Sequence, residues 1–149
     1  MLSVVSVILG VDSEKAKLTN SSVRYASGRE GHVCEPESLA KFLEDREEDV
    51  VHLIAPGGIV LPQFFRAFIV SLEGSGKDYA FCPCLLVSNG SMTEVRPTGD
   101  VAHFGQMMVR RWVLQELGVG KGNIPSLYNR VVSEYRGTEI PHHLYMEIG

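Results

Sequence analysis

Two short runs, Val4-Val5-Ser6-Val7-Ile8-Leu9 and Val50-Val51-His52-Leu53-Ile54, limit the possible folds of this chain more than any other feature. Both are β-branched and apolar at odd and even positions alike. A strand with one wet face alternates, so an unbroken run reads as a strand covered on both faces, as inside an α/β sheet. Helices must then lie on either side, and the intervening stretches supply them. Glu35 to Asp49 places Pro36 in a first turn and Leu39, Phe42 and Leu43 at helical spacing. Its acidic end, Glu44 to Asp49, reads as a solvated face. Pro62 opens a second helix with Phe64, Phe65, Phe68, Ile69 and Leu72 as its apolar stripe, and Gly74-Ser75-Gly76 stops it.

The remaining segments fill in the same scheme. Val23 to Ser27 reads as a short second strand ended by Gly28, and Asp78 to Ser88 as another. Asn89-Gly90 signals a hairpin, with Met92 to Pro97 as its return. A helix is expected from about Gln106 to Gly118, and a last one over Ser126 to Gly137. The expectation is one three-layer α/β domain over residues 1–149, with helices on both faces of a mixed sheet and 132–149 as a partly loose tail.

The chain has 149 residues, enough for a substantial core without metal or disulfide. A net charge of −4 with scattered Lys and Arg gives no basic footprint, so nucleic acid is not an expected partner. No apolar run approaches a membrane span, and the opening Met1 to Leu9 reads as a strand rather than a signal peptide. Cys34, Cys82 and Cys84 make an odd count that suits a reducing, cytoplasmic compartment. Cys82 and Cys84 are one residue apart, closer than zinc knuckles or redox pairs, and read as buried packing thiols.

Three segments, in order, resemble the GT-A fold of family 2 glycosyltransferases. In that family a strand ending in an Asp-x-Asp-Asp run leads to an apolar pair and a helix-starting proline. Leu53-Ile54-Ala55-Pro56-Gly57-Gly58-Ile59-Val60-Leu61-Pro62 has that frame, with Ala55 to Gly58 where the carboxylates would stand. Phe104 to Gly118 is similar to the family's glycine, small apolar run, arginine and helix ending in Leu-Gly. Leu127 to Tyr145 is similar to its late helix and the segment after it. The resemblance covers Val50 to about Tyr145. Val5 to Leu18 looks like either the family's first strand or its second nucleotide-binding strand. A helix and a strand of full-length members lack counterparts, and a homo-oligomer is expected in which a second subunit covers the sheet edge this leaves.

The resemblance implies a nucleoside diphosphate sugar, such as a UDP-sugar, as donor and partner, with Asp12 and Ser13 in the nucleotide pocket. The family neutralises the leaving diphosphate with a divalent metal on its Asp-x-Asp carboxylates. Ala55, Gly57 and Gly58 cannot ligate one, so no metal is expected there. The family's base position aligns with Asn123 to Ser126, which offers no carboxylate. The substitutes are Gly57 and Gly58, as backbone N–H donors to a diphosphate at the Pro62 helix start, and Arg24 and Arg29 as phosphate partners. Asp100 and His103, on the implied acceptor side, are the candidates for base. His52 reads as structural, and the adjacent His142 and His143 as solvent-exposed. Three functions remain open: a divergent, metal-independent transferase, a non-catalytic nucleotide-sugar-binding module, and a structural or regulatory protein that keeps the fold.

Overall fold

The computed structural model describes residues 1–97, 101–120 and 123–148. Strand β1 (Val4–Leu9) runs through Gly10 to Ser13 into helix α1 (Glu14–Ser27), where the Ser13 hydroxyl accepts the Ala16 N–H at 3.1 Å. Gly28, at φ 76°, closes the helix. Strand β2 (His32–Cys34), a 3-10 turn (Pro36–Ser38) and helix α2 (Leu39–Glu44) lead to β3 (Val50–Ile54). Next come β4 (Gly58–Val60), α3 (Phe64–Ser75), β5 (Tyr79–Phe81) and the hairpin of β6 (Cys84–Ser88) and β7 (Ser91–Val95). A second 3-10 turn (Phe104–Gln106) enters β8 (Met107–Arg110) and α4 (Arg111–Leu117). Helix α5 (Ile124–Glu134), β9 (Gly137–Glu139) and β10 (Tyr145–Ile148) follow.

The strands form a sheet of order β2-β1-β3-β8-β5-β9 and a smaller one of order β4-β10-β6-β7. β1 is parallel to β2 and β3, whereas β8 runs antiparallel between β3 and β5. The unbroken apolar runs divide by parity as expected. Val5, Val7, Val51 and Leu53 pack with α2, α4 and α5 on one face. Ile8, Val50 and Ile54 pack with Ala16 and Val23 of α1 and with Phe64, Phe65, Phe68 and Leu72 of α3 on the other. The three-layer α/β class is therefore what the chain adopts.

Several boundaries differ from expectation, each for a physical reason. Val23 to Ser27 is the last part of α1, not a strand. The Ser, Thr and Asn of that helix weaken its helical signal because their side chains compete for backbone bonds. Here the Thr19 hydroxyl instead accepts the Gly57 N–H at 2.9 Å, and the Ser22 hydroxyl accepts the Val60 N–H at 3.2 Å. Pro62 precedes its helix, which starts at Phe64 because Gly58–Val60 first pairs with β10. The expected strand over 78–88 is two strands, broken at Cys82-Pro83, where the chain passes from one sheet to the other. The expected helix from Gln106 begins only at Arg111, since Met107, Met108 and Val109 form a strand buried on both faces. Gly137 starts β9 rather than capping α5. The supposed loose tail is ordered: β10 lies between β4 and β6 in the smaller sheet.

Candidate functional site

The strand order creates a switch point. β1 lies between β2 and β3, so the chain leaves β1 through α1 on one face and enters β3 from α2 on the other. The connection after β1 leads outward to β2, whereas the one after β3 leads the other way, through β4 and α3 to β5, and in open α/β sheets the crevice where the strand order reverses takes ligands. Gly10 and Pro56 hold the two turns together: a Cβ on Gly10 would stand 2.8 Å from the Pro56 ring. Asp12 is exposed at this edge, and Ser13 is occupied in capping α1. The Lys15 side chain passes by Gly57, its Cδ 4.0 Å from where a Cβ would be.

Gly57 needs its glycine conformation, with φ at 99°. Its N–H donates to Thr19 and that of Gly58 donates to the Ala55 carbonyl at 3.1 Å, so both groups are bonded within the fold. The α3 amino end is separated from Gly57 by β4, while the amino end of α1 sits at the switch point. Arg24 lies in the last turn of α1, roughly 15 Å along the helix from Ser13 at 1.5 Å per residue, and pairs with Glu30 at 3.1 Å. Arg29 is exposed just beyond that helix. The structure thus puts Asp12 and Ser13 in the turn after β1 and Gly57 and Gly58 in the turn after β3, which meet at Gly10 and Pro56, and it leaves Arg24 at the far end of α1.

A second polar group forms where the smaller sheet meets the turn before β8. His103 Nδ1 and Glu147 Oε1 are 2.7 Å apart, and the Tyr145 hydroxyl donates to Glu147 Oε2 at 2.7 Å. A carboxylate only accepts, so Nδ1 carries the hydrogen and Nε2 keeps a free lone pair. Both side chains are about a quarter exposed, at 24% and 25%. The sulfur of buried Cys84 completes the group: among the described residues, Cys84, His103 and Glu147 place three potential ligand atoms within 4.8 Å of one another. Burial pushes the Cys82 and Cys84 thiols up to about 12, the Glu147 charge adding to the effect at Cys84. Burial also raises the Tyr145 hydroxyl well above its ordinary range, with the Glu147 carboxylate contributing.

Glu147 pairs across the ladder with Gly58, so this group lies beside the turn that lacks carboxylates. Sequence patterns missed Glu147 and Tyr145 because their partners are remote in the chain. Asp100 lies outside the described residues. His142 is exposed, and His143 meets Glu94 at 2.6 Å on the surface. A cavity of about 810 Å³ opens between α1 and α3 over Ser3 to Ser6, at the other end of β1 from Asp12. Its lining of Val23, Phe65 and Ile69 with balanced Arg and Glu lacks the features of a switch point. No helix among the described residues is long and apolar enough to cross a membrane.

The layers, the β2-β1-β3 crossing and the adjoining small sheet define a Rossmann-like α/β fold of the GT-A transferase type. Solved structures share it. S. aureus TarS in complex with UDP-GlcNAc matches with a TM-score of 0.64 at 8% identity, over 99% of this chain and 58% of that one. TarS in complex with UDP matches at 0.62 and 8%, over 99% and 60%. The bifunctional IspDF from Campylobacter jejuni matches at 0.57 and 9%, over 95% and 49%. The chain thus spans half to three fifths of the length of these structures, and the likeness is one of fold. No family model matches the chain, and no characterised protein matches it by sequence.

Proposed function

We propose that this chain is a transferase-like domain related to family 2 glycosyltransferases that binds a nucleoside diphosphate or its sugar at the β1–β3 switch point. The observation that carries the reading is the meeting of the turn after β1, which bears the exposed Asp12, with the Pro56-Gly57 turn, past which the Lys15 side chain runs, in a fold whose solved neighbours include TarS in complex with UDP and UDP-GlcNAc. The exposed Asp12 carboxylate would accept from the N–H edge of uracil. The Lys15 ammonium and the amino end of α1 would face the diphosphate, in the place first given to Arg24. Gly57 and Gly58 would line it by shape, their own N–H groups being bonded internally. On the acceptor side, His103 would take a hydroxyl proton at Nε2, with Glu147 holding the ring, and Asp100 is the other residue proposed as base.

A second reading, nucleotide binding without transfer, is favoured by one observation. The turn after β3 offers neither a carboxylate nor a free glycine N–H to a departing diphosphate. Both readings require the same pocket. An NMR titration with UDP is expected to shift the amide resonances of residues 10–15 and 55–58. Shifts confined to the α1–α3 cavity would refute the placement.

A further inference from the structure

The pairing of a buried thiol with a histidine and a carboxylate has a use that nucleotide binding does not explain. We infer that Cys84, His103 and Glu147 form a binding site for a zinc ion. The three groups come from β6, the turn before β8 and β10, and the β6–β10 ladder fixes two of them in register: Cys84 is opposite Tyr145, and Leu86 is opposite Glu147. Tyr145 and Glu147 are two residues apart on one strand and face the same side, towards Cys84 and His103.

Ligands around a tetrahedral zinc ion lie about 3.3 to 3.8 Å from one another. The three atoms, already within 4.8 Å, need to draw in by about 1.5 Å at most to reach that spacing. His103 Nδ1 and Glu147 Oε1, now 2.7 Å apart, part by about half an ångström. Rotations of side chains suffice for both. One sulfur, one imidazole nitrogen and one carboxylate oxygen suit zinc rather than magnesium or calcium, which take oxygen alone.

Charge balance supports the ion as well. With a thiolate, a carboxylate and a neutral imidazole, a divalent cation leaves the site neutral where it adjoins the apolar cluster around Tyr145. Binding releases the Cys84 thiol proton to solvent, and the His103 ring changes tautomer, its hydrogen moving from Nδ1 to Nε2 by exchange with water, so that the Nδ1 lone pair meets the ion. The Tyr145 hydroxyl already holds the second oxygen of Glu147, the arrangement that orients a carboxylate ligand. Three protein ligands leave a fourth position, reached through the exposed quarters of His103 and Glu147, for water or a ligand oxygen. The site stands beside the Ala55–Gly58 turn rather than in it, and it does not depend on nucleotide binding. When the ion is bound, His103 is a ligand and not a base, so the two roles belong to different states of the protein.

Cobalt(II) added to the metal-free full chain tests this directly. About one equivalent should produce thiolate-to-cobalt charge-transfer absorption and the intense visible bands of a four-coordinate ion, and one equivalent of zinc should remove them. Cys84→Ser should abolish the charge-transfer band, and Glu147→Gln should weaken zinc at least tenfold. Tyr145→Phe, which removes only the orienting hydroxyl, should cost about tenfold. Cys34→Ser should change nothing. Absence of the absorption, its loss in Cys34→Ser, or unchanged zinc affinity in Glu147→Gln would overturn the site. Should Cys84→Ser fail to fold, the zinc-induced rise in melting temperature of the unmodified chain, compared with that of Glu147→Gln, decides the matter.

Discussion

His52 shows how a single side chain ties the layers together. It is fully buried in β3, with Nε2 2.9 Å from the Gly105 carbonyl and Nδ1 3.1 Å from the Ser6 hydroxyl. A carbonyl only accepts, so Nε2 carries the hydrogen and Nδ1 receives the Ser6 hydroxyl. Neutral histidine satisfies both bonds, and burial lowers its pKa from 6.5 to about 4, against a smaller opposing effect of the Gly105 bond. The unfolded chain takes up this proton below about pH 6.5, whereas the folded chain resists until about pH 4. Stability should therefore be complete above the unfolded value and fall as pH drops through this window, by roughly 3 kcal/mol in total. Urea midpoints between pH 7.5 and 4.5 check it, and His52→Gln should flatten this part of the slope. A run of apolar neighbours was enough to mark His52 as structural. His103 could not be understood that way, because its partner Glu147 is 44 residues distant and stood in a segment without an apolar pattern.

Among the elements, the last strand matters most for the site. The Tyr145 side chain fits between two glycines: a Cβ on Gly58 would be 2.4 Å from its hydroxyl, and one on Gly105 would be 2.5 Å from it. Gly105→Ala must displace a ring that is 1% exposed, and is expected to cost about 2 kcal/mol in urea unfolding. A variant as stable as the parent would contradict that packing. Deleting residues from His142 onward removes β10, the strand that bridges β4 and β6. The truncated chain should lose its cooperative melt, while an unchanged midpoint would restore the loose-tail expectation. Elements with a strong period were legible: β1, β3, the β6–β7 hairpin and the phenylalanine stripe of α3. Two were not. Helix α1 has hydroxyl residues on the face that binds the β3 turn, and β8 has methionines whose helical propensity merges with that of α4.

For the molecule as a whole, covered strands and alternating helices were enough to indicate a three-layer α/β fold, because inner strands buried on both faces allow few other arrangements. The switch point was only partly legible. The Gly57 turn and Asp12 were visible as separate features, but their meeting depends on β2 lying outside β1, and the β2 assignment had been placed within α1. The contact of Lys15 with Gly57 and the internal bonding of both glycine N–H groups are tertiary facts with no sequence pattern. They put the Lys15 side chain, and not Arg24, beside the Gly57 turn, and they leave that turn without a free glycine N–H for a diphosphate. Calorimetric titration of UDP into the chain, with and without manganese, tests the central claim most directly. Binding is expected to be weak, the same in both, and reduced about tenfold by Asp12→Ala, the loss of one well-placed hydrogen bond to a charged group. Clear tightening by manganese, or no binding of UDP at all, would contradict it.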